Sequence, residues 1–362
     1  MIIYSFIPFL ILFFFALAFF CDNKVTQWTT FFLLFIVSVF IGFREVNVGT
    51  DTENYINFFN EISNDVNESF FFSNGSPLFQ GLMFLSHALG LTASGALFVL
   101  SVIINVILLC ASLRIKKIGP YFVLVFLTSF SYFLLSLNIL RQGLAVVSFL
   151  LFVLMNTKRN SALSYIWMVV SILFHPSSII AVAIYFLSFR LSMSPSKAVS
   201  FILVGLVISI FDIDVVSSML SFIKLINVMP NITYRLEYYL TDYDVKGSVV
   251  GVGYFFTCAI GVVCLIYEKR LNLFSREFLE NEKLARVSIS LVFVNVFLYP
   301  VWAPYAAISR LSFYFYPFEM LLFCILVFSS FKDKGLRVFI LVITTLLLYS
   351  KSILAGIAFG FL

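Results

Sequence analysis

Arg44, Arg141 and Arg310 each stand at the end of a long apolar stretch, in "FIGFREV", "NILRQG" and "AISRLS". A guanidinium is a planar fork of N–H donors that pairs bidentately with phosphate, and such charge-assisted bonds are about twice as strong as neutral ones. Three forks at one depth suit a shared doubly charged ligand, a phosphate or pyrophosphate. One arginine alone is equally explained by snorkelling, with its stem among apolar groups and its charge at an interface.

Groups able to move a proton lie close by in the pattern. Thr50-Asp51-Thr52-Glu53 reads as a capping box opened by Gly49, which places Asp51 in the first turn of a helix, where the dipole favours its ionised form. Tyr55, Phe58, Phe59, Ile62 and Val66 continue at helical spacing, so this helix should lie amphipathically on the membrane face. Asn138, Arg141 and Gln142 share one helical face by spacing, and a polar face entering an apolar helix should line a cavity. His175, in "LFHPSS", separates two apolar runs too short to span alone, so it should occupy a tight turn below the surface, with Pro176 opening the next helix. Histidine can take or give a proton near neutrality, although a hydrogen-bonded structural role fits too. His87 reads as structural. Glu319 falls well inside an apolar run beside Pro317, either neutral and hydrogen-bonded or paired across helices. The stretch "MPNITYRLEYYLTDYD" carries Arg235 among tyrosines that suit either a carbohydrate surface or interfacial anchoring.

The elements that must position these groups are membrane helices. The 362 residues are 62% hydrophobic and 11% charged, with 47 phenylalanines and a mean hydropathy of +1.06, far more apolar surface than a soluble core hides. Apolar runs at 3–20, 28–43, 94–113, 119–137, 140–155, 161–174, 176–189, 197–212, 249–267, 287–304, 311–331 and 336–350 predict about twelve spans of an all-α polytopic membrane protein. Residues 77–91 are short and interrupted, so they read as a re-entrant or interfacial segment. That choice puts most of the 23 basic residues in cytoplasmic loops and both termini outside. It leaves one integral membrane domain with outer loops at 44–93 and 213–248 and a charged amphipathic cytoplasmic stretch at 268–286. The five cysteines lack paired spacing, so neither a disulfide framework nor a metal site is expected, and the net charge of +5 reflects topology rather than nucleic acid.

"FREVNVGTDTENYINFF", "NILRQGLAVVSFLL", "ILFHPSSIIAVAIYFL" and "SRLSFYFYPFE", in this order, resemble the EpsG family of Wzy-type polysaccharide polymerases over most of residues 1–331. The resemblance implies a helical fold like that of GT-C glycosyltransferases. It implies polymerisation of undecaprenyl-pyrophosphate-linked O-antigen or exopolysaccharide repeat units at the outer face of the bacterial cytoplasmic (inner) membrane. Donor and acceptor lipids would be its substrates, with a chain-length regulator and a flippase among its partners. Carried onto this chain, Arg44, Arg141 and Arg310 would bind pyrophosphate, His175 or Asp51 would be the general base, and Gln142, Tyr55, Asn138, Arg235 and Glu319 would position substrate, without cofactor or metal. Two alternatives are a GT-C-like transferase adding one sugar and a flippase or transporter for the same lipids, although polar groups clustered at outer helix ends fit a transporter less well than a mid-bilayer site would.

Overall fold

The computed structural model describes residues 12–17, 20, 23–62, 75–115, 118–159, 162–191, 193–211, 213–218, 221, 252–271, 282–331 and 333–358. Its main elements are α1 (Asn23–Gly42), α2 (Thr52–Ile62), α3 (Pro77–Ala88), α4 (Ala93–Arg114), α5 (Gly119–Leu127), α6 (Phe130–Phe133) with a π turn (Leu134–Asn138), α7 (Leu140–Arg159), α8 (Ala162–Phe174), α9 (Ser178–Arg190), α10 (Pro195–Ile210), α11 (Val252–Leu271), α12 (Glu282–Trp302), a 3-10 turn (Arg310–Tyr314), α13 (Tyr316–Ser330) and α14 (Lys334–Ala358). No strand occurs among the described residues.

Among the described residues, four helical segments are long and apolar enough to cross a membrane: Val25–Gly42, Ala93–Arg114, Leu140–Thr157 and Lys283–Trp302. Shorter apolar helices cover Ala162–Phe174, Ser178–Ser188, Pro195–Ile210, Tyr254–Ile266 and Tyr316–Ser330. The chain is therefore an all-helical membrane-embedded protein. Of the expected first span only 12–17 and 20 are described, and most of the 213–248 loop and of the 268–286 stretch lies outside the described residues.

Two expected spans are broken. The run 119–137 is a pair of helices bent by 73°. At the break Thr128 Oγ1 donates to Val125 O at 2.9 Å and Ser129 Oγ to Phe126 O at 2.7 Å, while Ser129 Oγ accepts from Tyr132 N at 3.2 Å. These hydroxyls satisfy the end of one helix and cap the next, which hydropathy does not register. The run 311–331 likewise begins as a 3-10 turn, and Trp302 Nε1 donating to Ser312 Oγ at 2.7 Å, with Trp302 stacked on Phe315, holds that turn in place. Glu319 therefore lies in the first turn of α13 and not deep within a span.

The chain divides into two compact units, Met1–Val182 with Phe323–Leu362, and Ala183–Leu322. In the first, α7 is the central helix, packed on α4 and α8, while α4 packs on α1 and α3 packs on α2, α4 and α8. Polar contacts tie this bundle together: Asn105 Nδ2 donates to Ser38 Oγ at 2.8 Å, and Tyr132 OH donates to Asn105 Oδ1 at 2.9 Å, joining α1, α4 and α6. In the second, α10, α11 and α12 pack together, with Tyr254, Cys258 and Val296 at the core. Of the cysteines, Cys258, Cys264 and Cys324 are buried free thiols, and Cys110 is exposed and free.

Candidate functional site

The site grows from the end of α1. Arg44 is buried, and its Nη1 donates to Ile41 O at 2.8 Å, placing a cation on the carbonyls that the end of α1 leaves unpaired. Its Nε donates to Thr52 Oγ1 at 2.8 Å, and Thr52 Oγ1 donates to Val48 O at 2.6 Å, so the fork also fixes the loop between α1 and α2. Gly49 has φ +84°, and a Cβ there would stand 2.5 Å from Leu137 O, so only glycine lets the loop lie this close to the π turn.

Asn138 closes that contact. Its Oδ1 accepts from Thr50 Oγ1 at 2.6 Å and from Asp51 N at 2.9 Å. The expected capping box does not form in this geometry: Thr50 turns its hydroxyl to Asn138, the helix begins at Thr52, and Asp51 stands just ahead of it. Asn138 also does not share a helix face with Arg141 and Gln142. It ends the π turn, Ile139 departs from helical geometry at φ −103° and ψ 56°, and α7 starts at Leu140. The polar triplet is thus split between an anchor for the loop and a pair at the start of α7.

Tyr55 brings the charged groups to one place. Burial pushes its hydroxyl up to about 12, the Asp51 charge pushes in the same direction, and Arg141 and Arg44 oppose both, Arg141 also through a hydrogen bond. Three residues, Arg44 and Asp51 from the preceding loop and Arg141 from far along the chain, therefore act on one phenol. Arg141, half-buried, carries its guanidinium 5.9 Å from the centre of the Phe79 ring, and Phe79 lies 5.5 Å from Tyr55.

His175 reaches the same level by a different route. Ser171 Oγ on α8 donates to Ala145 O on α7 at 2.8 Å, which fixes the register of this antiparallel helix pair. One turn from that bond towards the same end stand Arg141 on α7 and His175 after α8. The α8–α9 turn is held by Ser178 Oγ donating to Ser171 O at 3.0 Å. Pro176 lies in this turn, not inside the helix that follows, which starts at Ser178. His175 Nδ1 accepts from Ser177 N at 3.3 Å and pairs with Ser177 Oγ at 2.7 Å. A backbone N–H can only donate, so a neutral imidazole here carries its proton on Nε2.

The model of the EpsG family matches residues 27–362. The chain belongs to the EpsG family. No curated protein and no solved structure matches it. Together with its apolar helices, the membership makes this a membrane protein of polysaccharide biosynthesis.

The other anticipated groups of this EpsG-family chain are distributed as follows. Gln142 is buried beside Arg141 on α7. In the second unit Arg310 is exposed at the start of the 3-10 turn, and Glu319 is buried, its Oε2 accepting from Thr257 Oγ1 at 2.8 Å, a bond between α13 and α11. Arg235 lies outside the described residues. His87 packs its ring 5.5 Å from Phe59, between α3 and α2. Among the described residues no group of three or more His, Cys, Asp or Glu side chains gathers as a metal site would require. Sequence reading missed Thr52, Phe79 and Ser171, which hold Arg44, Arg141 and the His175 turn. A threonine opening an amphipathic helix, and a phenylalanine and a serine in apolar ones, carry no local mark of such roles.

Proposed function

We propose that this EpsG-family protein polymerises undecaprenyl-pyrophosphate-linked oligosaccharide repeat units at the outer face of the bacterial cytoplasmic membrane. The observation that carries the reading is the convergence of Arg44, Asp51 and Arg141 on the start of α2: Arg44 bonds Thr52, the Asp51 amide bonds Asn138, and Arg141 lies over Phe79, which packs against Tyr55. Cations and a carboxylate side by side suit glycosyl transfer from a lipid diphosphate. The anomeric carbon's bond to the diphosphate oxygen breaks, with the electron pair leaving on the diphosphate, and a hydroxyl oxygen of a second lipid-linked unit bonds to that carbon. The hydroxyl proton passes to a base.

Arg141 is the guanidinium that meets the diphosphate. Arg44 has two of its nitrogens engaged by Ile41 and Thr52, so it supplies positive potential and holds the loop. Asp51 takes the proton. His175, with Nδ1 engaged by Ser177, offers Nε2–H as a donor to a phosphate oxygen. Arg310 is the further phosphate ligand expected from the sequence.

The test is the glycan ladder of a deletion strain complemented with wild type, Arg141→Ala or Arg310→Ala. The expected result is a single capped repeat unit in the deletion strain, restoration by wild type, and no chain extension by either variant at normal membrane insertion. Losing one such donor costs about a hundredfold to a thousandfold in rate. A full-length ladder missing one branch sugar would identify a single-sugar transferase instead, and accumulation of inward-facing lipid-linked units would identify a flippase.

A further inference from the structure

The first turn of α3 borders the site from both directions. Gly75, just before it, faces Pro176 of the His175 turn, with 3.7 Å between a Cβ built on Gly75 and Pro176 Cγ. Phe79 lies under the Arg141 guanidinium and against Tyr55. Ser76, Phe79, Gln80 and Met83 form one buried face of this helix, since positions three and four apart stand together. Gln80 and Ser76 are each 1% exposed. Yet among the described residues neither the Gln80 carboxamide, through Oε1 or Nε2, nor Ser76 Oγ has a hydrogen-bond partner.

An unmet buried amide destabilises the fold, and a leucine or methionine in its place would avoid that cost. A carboxamide and a hydroxyl one helical turn apart, beside a cation and an aromatic ring, match what a sugar needs: a donor and acceptors for adjacent hydroxyls, next to the diphosphate that carries the sugar. We infer that Gln80, assisted by Ser76, positions the sugar of a lipid-linked repeat unit by hydrogen bonds to its hydroxyls. This inference rests on the polymerase reading and adds to it the wall that orients the glycan. The twelve residues of α3, about 18 Å long, are too short to cross the bilayer, which leaves the helix free to serve as such a wall.

The test replaces Gln80 by methionine, of similar length and without polar atoms, and Ser76 by alanine, each expressed in the deletion strain. Polymer yield is read from the glycan ladder and thermal stability from the purified protein in detergent. Gln80→Met should insert at wild-type level and melt at or above the wild-type temperature, because no internal bond is lost, while polymer yield falls about tenfold to hundredfold. Ser76→Ala should show the same pattern to a smaller extent. A wild-type ladder from Gln80→Met, or a melting temperature several degrees below wild type, overturns the inference. A ladder indifferent to deletion of the gene sinks the polymerase reading itself, and this inference with it.

Discussion

Asn138→Leu should uncouple the Asp51 loop from the rest of the site. The Asn138 oxygen accepts from Thr50 Oγ1 at 2.6 Å and from Asp51 N at 2.9 Å, and leucine keeps the volume while removing both bonds. A net intramolecular hydrogen bond contributes about 0.5–1.5 kcal/mol, so the pair contributes about 1–3 kcal/mol. Thr50 is exposed and water can replace its bond, which moves the sum towards the lower end, whereas Asp51 is half-buried and its N–H is harder to rehydrate. Converted to populations, this is a roughly five- to hundredfold rise in the fraction of molecules with the loop open. Arg44 still holds Thr52, so α2 should stay folded and the loss should be local. Hydrogen exchange read at the Asp51 amide should show protection falling by that factor, while the amides of α4 and α7 keep theirs, and the glycan ladder should shorten in parallel. If the Asp51 amide stays fully protected in Asn138→Leu and the ladder is unchanged, the oxygen of Asn138 does not anchor the loop and the account of the site fails.

Two further outcomes follow from the same geometry. Gly49→Ala introduces a Cβ 2.5 Å from Leu137 O at φ +84°, so the loop must move; chain extension should be lost with membrane insertion retained, and an unchanged ladder would refute the close approach. The Tyr55 phenol, raised from 10.0 to about 12, keeps its proton in the folded protein over a window in which the unfolded chain would release it. Its contribution to stability is therefore full below pH 10 and declines as pH rises towards 12, and Tyr55→Phe should remove that decline; the absorbance difference between wild type and variant should show a phenol ionising near pH 12, and one ionising near pH 10 would show that Tyr55 is not buried beside Asp51.

The sequence showed where apolar helices run and which polar groups interrupt them, because hydropathy and helical period are local properties of the chain. "FREVNVGTDTENY" and "NILRQG" could be marked as chemically active because charged groups at the lip of an apolar run are costly without a purpose. The breaks at Thr128–Ser129 and before Tyr316 escaped the same reading. Hydroxyls that satisfy a helix end look, in composition, like those that bond back inside an unbroken helix.

What the sequence by itself determined is a helical membrane protein with arginines, an aspartate and a histidine at the ends of its apolar runs. Only the tertiary structure decided that Arg44 spends two of its nitrogens on its own backbone and loop, and that Asn138 leaves the Arg141 face to hold Thr50, 88 residues away. It also decided that a buried glutamine lies beside the site without a hydrogen-bond partner among the described residues. A side chain's type fixes which bonds it can make, but the packing of distant helices chooses its partner, and at this site that choice separates a residue that holds the loop from one left to meet a substrate.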